Sequence, residues 1–244
     1  MSVAEHDLYS PKTVSRLFDE MSKTYGFVNL IASLGFTIIW RRVVFSKIAQ
    51  SPAKIVVVDL MTGMGELFHD LRHDVRKQKM DIERVEAVDF SSKMCERARE
   101  EARKNPFPTN VTQADIFDQT IPDDTADVLV CSFGLKTFST EQQQRLAKEV
   151  RRLLKPGGQF SFIEISMPKG WLLRCLYRFY IGIIIPIVGK MCLGNPDNYR
   201  MLGVYTTNFG NSRNFESYLK AEGLEAHYFE HFFGCASGVY GQKR

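Results

Sequence analysis

Apolar positions along the chain keep two different rhythms. Across residues 13–48, Val14, Leu17, Phe18 and Met21 recur at helical spacing and Tyr25, Phe27, Leu30 and Trp40 follow, which predicts two or three short amphipathic helices. Past Pro52 the spacing collapses into the β-branched run of residues 54–60, the pattern of a strand buried on both faces of a parallel sheet. A second strand, residues 84–90, ends in Asp89, and Ser91 or Ser92 caps a helix carrying Met94, Ala98 and Ala102. A third strand is expected just before Gln113. The polar turn Pro122-Asp123-Asp124 then leads to a fourth strand over residues 127–133 and a helix over residues 140–154. After the turn Lys155-Pro156-Gly157-Gly158, residues 160–166 form the fifth strand. Residues 224–232 and 237–242 read as two antiparallel strands joined by a short turn containing Gly and Ser.

Strands alternating with helices imply an α/β fold: a doubly wound, mostly parallel, seven-stranded sheet with a C-terminal antiparallel hairpin and an N-terminal helical lid. With 244 residues and no composition break, the chain reads as a single domain. Within it, residues 1–50 form the lid, 51–166 the ligand-binding core, 167–215 a substrate-cover segment, and 216–244 a C-terminal helix and hairpin. A net charge of +4, scattered along the chain, gives no basic face for nucleic acid. The five cysteines form no C-x-x-C pair, so neither a metal site nor a disulfide framework is expected. That usage fits a reducing cytoplasm, and residues 1–11 lack the basic start and apolar run of an export signal.

Ligands of such sheets sit beyond the C-terminal strand ends, where strand order reverses. The loop after the first strand reads Asp59-Leu60-Met61-Thr62-Gly63-Met64-Gly65-Glu66, and its two glycines let a flat ligand approach the backbone. Phe68 stands where a dinucleotide fingerprint needs a small residue, which favours a nucleoside without phosphates. Asp89, at the second strand end, is placed to accept hydrogen bonds from both ribose hydroxyls. Asp115 suits an adenine amino group, with Met94 and Ile116 on either side of the ring. Asp59 and Glu66 read equally as turn and capping carboxylates.

These residues belong to a longer series: Phe18, Met21, Tyr25, Asn29, Ser33 and Gly35 at fixed spacing, then Trp40-Arg41-Arg42, Val58-Asp59-Leu60-x-Thr62-Gly63-x-Gly65, Asp89-Phe90-Ser91-x-x-Met94, Ser132-Phe133-Gly134-Leu135, Leu154-Lys155-Pro156-Gly157-Gly158 and Ile163-Glu164-Ile165-Ser166. The series resembles the ubiquinone and menaquinone biosynthesis C-methyltransferases, a branch of the class I S-adenosylmethionine-dependent methyltransferases. The resemblance implies a Rossmann-like fold, S-adenosyl-L-methionine as cofactor, and a donor site at Asp59, Thr62, Gly63, Gly65, Asp89, Phe90, Met94, Asp115, Ile116, Ser132 and Phe133. The chain departs from the family where Lys136-Thr137 replaces Arg-Asn, where Gly26 replaces an Asp, and where Val239 or Tyr240 replaces a histidine. Arg and Lys are not interchangeable at a bidentate site, so a different acceptor is the natural reading.

On the acceptor side, Lys136 and Glu164 are the catalytic candidates. His227 and His231 read as surface or satisfied core residues. Trp40, Phe133, Tyr177, Tyr180, Tyr199 and Tyr205, with Tyr25, are candidates for the acceptor wall. Residues 171–194 are apolar, but Arg174, Arg178 and Pro186 argue against a membrane span. They read either as a helix at a lipid boundary, giving peripheral membrane contact and a lipophilic acceptor, or as a core helix over the pocket. Three functions follow: methylation of a small, largely apolar acceptor, with secondary metabolism as its setting; methylation of a quinone ring or phospholipid head group; or a catalytically silent cofactor-binding module.

Overall fold

In the computed structural model, which describes residues 8–23, 25–33, 35–49, 53–77, 79–192 and 194–244, strand β1 (Ile55–Leu60) is flanked on both sides by parallel neighbours. The other strands are β2 (Ile82–Asp89), β3 (Thr109–Gln113), β4 (Ala126–Ser132), β5 (Leu154–Ile165), β6 (Glu225–His231) and β7 (Ala236–Gln242). Their order across the sheet is β3-β2-β1-β4-β5-β7-β6, with β7 antiparallel to both neighbours. Strand order therefore reverses between β1 and β4, and the loops after those strands are the place for a ligand.

The double burial of β1 follows from the two layers around it. Val57 packs with Val85, Val128 and Val130 beneath helices α3 (Phe36–Ser46), α4 (Glu66–Arg76) and α5 (Ser92–Ala102). Val58 and Leu60 pack on the other face with Leu129, Cys131 and Phe162, beneath α6 (Thr140–Leu153) and α10 (Arg213–Ala221). Helix α6 opens with a complete capping box, Ser139 and Gln142 each satisfying the other's backbone N–H.

The region over residues 13–48 contains three helices, α1 (Pro11–Met21), α2 (Tyr25–Ala32) and α3. Ser91 caps α5 by accepting from the Met94 N–H, and its hydroxyl donates to Asp19 on α1. The N-terminal helix is thus tied to the end of β2, directly over the ligand edge. Two local expectations need correction. The Lys155–Gly158 segment is no free turn: it is a bulge inside β5, with the register shifting between Ala126 and Val128 of β4 and Gly157 in the left-handed region. The β6–β7 connection carries Phe232, Phe233, Gly234 and Cys235, and the serine lies within β7.

Residues 171–191 form one continuous helix, composed of α7 (Trp171–Phe179), a widened turn over Tyr180–Ile184, and α8 (Ile185–Met191). Pro186 does not interrupt it, because the widened turn just before shifts the ladder where the missing N–H would have bonded. The proline argument against a span therefore fails. Among the described residues this is one helix long and apolar enough to cross a membrane. In this fold its inner face packs instead on α9 (Pro196–Phe209), where Ile185 and Val188 meet Tyr199.

Candidate active site

Four backbone positions shape the loops at the switch point. Met61, after β1, and Phe133, after β4, are held in the left-handed region at φ 58° and 63°. Non-glycine residues there are uncommon and gather at functional sites. Gly134 lies so close to Met61 that an added Cβ would stand 2.6 Å from its sulfur, so the two loops meet only because that residue is glycine. Gly65 begins α4 at φ 78°, and the Phe68 ring fills the space a Cβ would need.

Two adjoining hollows run along this edge and share Met61, Asp89, Phe90 and Thr137. One is bordered by Val88, Ala114, Asp115, Ile116 and Phe117, and covered by Tyr9, Pro11 and Val14 from the N-terminal segment. The other is bordered by Gly63, Glu66, Met94, Ser132, Phe133 and Gly134, with Phe18 and Arg41 above. The Asp89 carboxylate accepts from the Gly63 N–H at 2.8 Å and the Ser91 N–H at 2.9 Å. A carboxylate offers about four lone-pair sites, so acceptor capacity remains for a hydroxyl. Burial raises the Asp89 carboxyl to about 6, the Ser91, Gly63 and Phe90 amides offsetting part of the shift.

Asp59, Thr62 and Gly65 border neither hollow. The Thr62 hydroxyl donates to Asp59 at 2.6 Å, and both side chains are buried, so they brace the loop from below. Burial drives the Asp59 carboxyl up to about 8, and its Oδ1 is buried without a hydrogen-bond partner. The sign of the pH effect follows: the native state holds a proton that the unfolded chain releases near pH 4, so Asp59 costs stability as pH rises from about 4 to 8. Thermal melts of the ligand-free protein should show Tm falling over that window, with a shallower fall for Asp59→Asn. An equal slope in both proteins would refute this origin. Glu66 is raised by burial and lowered by the Arg41 charge, and its Oε2 accepts from the Met64 N–H, so it caps and borders the cleft at once.

Beyond the turn Leu135–Thr137 lies an apolar cavity of about 260 Å³. Its walls include Phe36, Trp40, Tyr177, Tyr180, Tyr199 and Phe232, with Phe36–Trp40 and Tyr177–Tyr180 stacked at 5.7 and 6.5 Å between ring centres. Lys136 is the charged residue among its described walls. Its ammonium donates to Glu164 Oε1 at 2.7 Å, and both side chains are almost fully buried.

Three expectations on the acceptor side change. Glu164 does not face the cavity: it accepts from the Lys136 N–H, the Lys136 ammonium and the Ile165 N–H, which makes it a buried counter-ion instead of an open proton acceptor. Tyr205 points away, because on α9 it lies off the face carrying Tyr199, Leu202, Gly203 and Thr206, and its hydroxyl donates to the Leu8 carbonyl beside the Tyr9 ring. Phe133 borders the cleft at the switch point and not this cavity. The side chain of Tyr25 lies outside the described residues. His227 pairs with Glu225 on the surface, away from both pockets.

A model of the ubiE/COQ5 methyltransferase family matches residues 5–243. The chain belongs to this family. A demethylmenaquinone methyltransferase of Thermotoga maritima is 30% identical over 231 residues, covering 94% of this chain and 95% of that protein. One of Deinococcus radiodurans is 27% identical over 234 residues, covering 96% and 93%. The fold recurs in a solved structure from Thermotoga maritima described as a SAM-dependent methyltransferase, possible histamine N-methyltransferase, at TM-score 0.61 and 15% identity, covering 94% of this chain and 99% of that one. This UbiE/COQ5-family protein is therefore an S-adenosylmethionine-dependent methyltransferase. Its cleft suits that cofactor: the Asp89 carboxylate borders both hollows with acceptor capacity for hydroxyls, and Val88, Ile116, Met94 and Phe133 give the space beside it apolar walls. Met61, Arg41 and Thr137 escaped sequence reasoning, as did the particular lid residues Tyr9, Pro11 and Val14; the Phe133-Gly134-Leu135 motif was the available sign that two loops meet here.

Proposed function

We propose that this methyltransferase alkylates a small, largely apolar, ring-bearing acceptor carrying an acidic oxygen, a phenol or enol, held in the cavity against Lys136. The observation that carries this reading is a single buried ammonium on an otherwise apolar, aromatic wall beside the donor cleft. Bound S-adenosylmethionine supplies an electrophilic methyl group, so the protein's work is alignment, charge placement and exclusion of water. Lys136 lowers the pKa of an adjacent acceptor hydroxyl and stabilises the resulting anion, which raises the nucleophilicity of that oxygen and of the ring carbons beside it. Glu164 acts through Lys136, fixing the position of its terminal nitrogen with a 2.7 Å hydrogen bond.

The named relatives act, by their descriptions, on demethylmenaquinone, and a quinol ring meets these requirements. Lys136-Thr137 in place of Arg-Asn favours a related ring over the same one, and a role in secondary metabolism accommodates it. A phospholipid amine fits worse, because an ammonium beside Lys136 would be repelled. The enzyme is proposed to be cytoplasmic, meeting its lipophilic acceptor by peripheral membrane contact.

Purified protein with labelled donor, offered a detergent-dispersed prenylated naphthoquinol, a prenylated phenol and phosphatidylethanolamine, should label a ring acceptor. Label in phosphatidylethanolamine alone, or none in any acceptor despite measured donor binding, would refute the proposal.

A further inference from the structure

The outer face of the helix over residues 171–191 is exposed and apolar: Trp171 is 79% exposed and Met191 78%, with Leu172, Leu176, Phe179, Ile183 and Ile187 between them. Contiguous apolar surface of this kind marks an interaction site. Two further features adjoin it. At the β6–β7 tip, Phe232 and Phe233 both sit in the left-handed region, where bulky residues are rare, and Phe233 is 74% exposed. That tip is fastened to the start of α7, since the Lys169 N–H donates to the Phe233 carbonyl and Lys169 pairs with Glu230. Phe232 lines the acceptor cavity while half its surface is exposed, and it packs on Phe36, one turn from the exposed Ile39. The cavity thus reaches the surface between two apolar prongs.

Charge singles out the partner. Between Glu164 and Asp197 the sequence contains no acidic residue, whereas Lys169, Arg174, Arg178 and Lys190 are basic. Among the described residues Arg178 and Lys190 enter no ion pair. Basic residues beside aromatic and aliphatic side chains suit a headgroup boundary, where the former meet anionic lipid and the latter enter the acyl region.

We infer that helix 171–191 and the Phe232–Phe233 tip form a two-pronged surface that inserts into an anionic bilayer and sets the mouth of the acceptor cavity against the lipid. The acceptor then moves from the bilayer past Phe232 and Tyr177 without crossing water. This surface rests on the lipophilic-acceptor reading above, and commits it to one route and one class of partner.

The test is co-flotation of the whole protein with vesicles of phosphatidylcholine, with and without phosphatidylglycerol. Trp171 serves as a native probe, because the other tryptophan, Trp40, is buried. Flotation should require phosphatidylglycerol, and Trp171 emission should shift blue in the wild type with no such shift in Trp171→Phe. Leu176→Glu with Phe233→Glu should reduce partitioning at least about tenfold, and Arg174→Gln or Arg178→Gln about fivefold each. Calorimetric affinity for S-adenosylhomocysteine should stay unchanged in every variant, which verifies folding. A wild type that floats with no vesicle, or a double variant that floats like the wild type, would overturn the inference. So would a vesicle-free dimer that the same two changes convert to a monomer, since the face would then belong to a second copy. Methyl transfer to a detergent-dispersed acceptor needs no bilayer: its loss would refute the proposed function, whereas its persistence with failed flotation would refute this surface alone.

Discussion

Asp89→Ala should weaken S-adenosylhomocysteine binding by about two orders of magnitude in titration calorimetry. Its carboxylate has two jobs: it holds the Gly63 and Ser91 amides, and it keeps lone pairs for hydroxyl donors at the end of β2. A hydrogen bond to a charged acceptor is worth about 1.5–3 kcal/mol, so losing two such bonds exceeds the roughly 2.7 kcal/mol of a hundredfold change. Asp89→Asn keeps the shape and one acceptor oxygen, and should fall between wild type and alanine. Because burial holds this carboxyl near pKa 6, affinity in the wild type should rise with pH through that value and then level. The stability contribution has the opposite sign, since the native state binds the proton more tightly than the unfolded chain and loses that advantage between about pH 4 and 6. Affinity in Asp89→Ala equal to wild type would remove this residue from the donor site.

Removing one partner of the Lys136–Glu164 pair should cost far more than removing both. Glu164→Ala leaves an ammonium in an almost fully buried position without a counter-ion, a loss of about 3–5 kcal/mol. For a domain of this size that corresponds to a Tm drop on the order of 10 °C. The double change Lys136→Met with Glu164→Gln removes both charges, and the amide oxygen still accepts from one of the two backbone N–H groups now held by Glu164. Most of the lost stability should return, while turnover stays depressed by about a hundredfold with S-adenosylhomocysteine affinity intact. That split separates a structural ion pair from a charge that meets the acceptor. Equal Tm values for the single and double variants, or full turnover in the double variant, would contradict the role assigned to Lys136.

The cleft at the switch point was legible in the sequence because strand ends and glycine loops are local features. A buried β-branched run followed by Gly63 and Gly65, and a strand ending in Asp89 before a capping serine, carry their geometry with them. Less legible was which residues of the loop touch the cleft: Asp59 and Thr62 bond each other beneath it, whereas Met61, between them, lies in its wall. Pro186 misled because sequence alone does not reveal a widened helical turn that absorbs a missing donor.

The acceptor half depended on what lay across from each residue. Helical spacing alone sends Tyr205 to Leu8 and Tyr199 to the cavity, though both are tyrosines on one helix, and Glu164 meets Lys136 across 28 positions of chain. The amino-acid order settled the alternation of elements, the strand-end carboxylates and the family, since these depend on short-range periodicity and spacing. Only the packed tertiary structure decided that Lys136 is the charge on an apolar wall, that Glu164 is sealed behind it, and that the expected N-terminal lid covers the switch-point cleft with Tyr9, Pro11 and Val14. Burial and pairing are properties of neighbours brought together by the fold, and a linear pattern does not contain them.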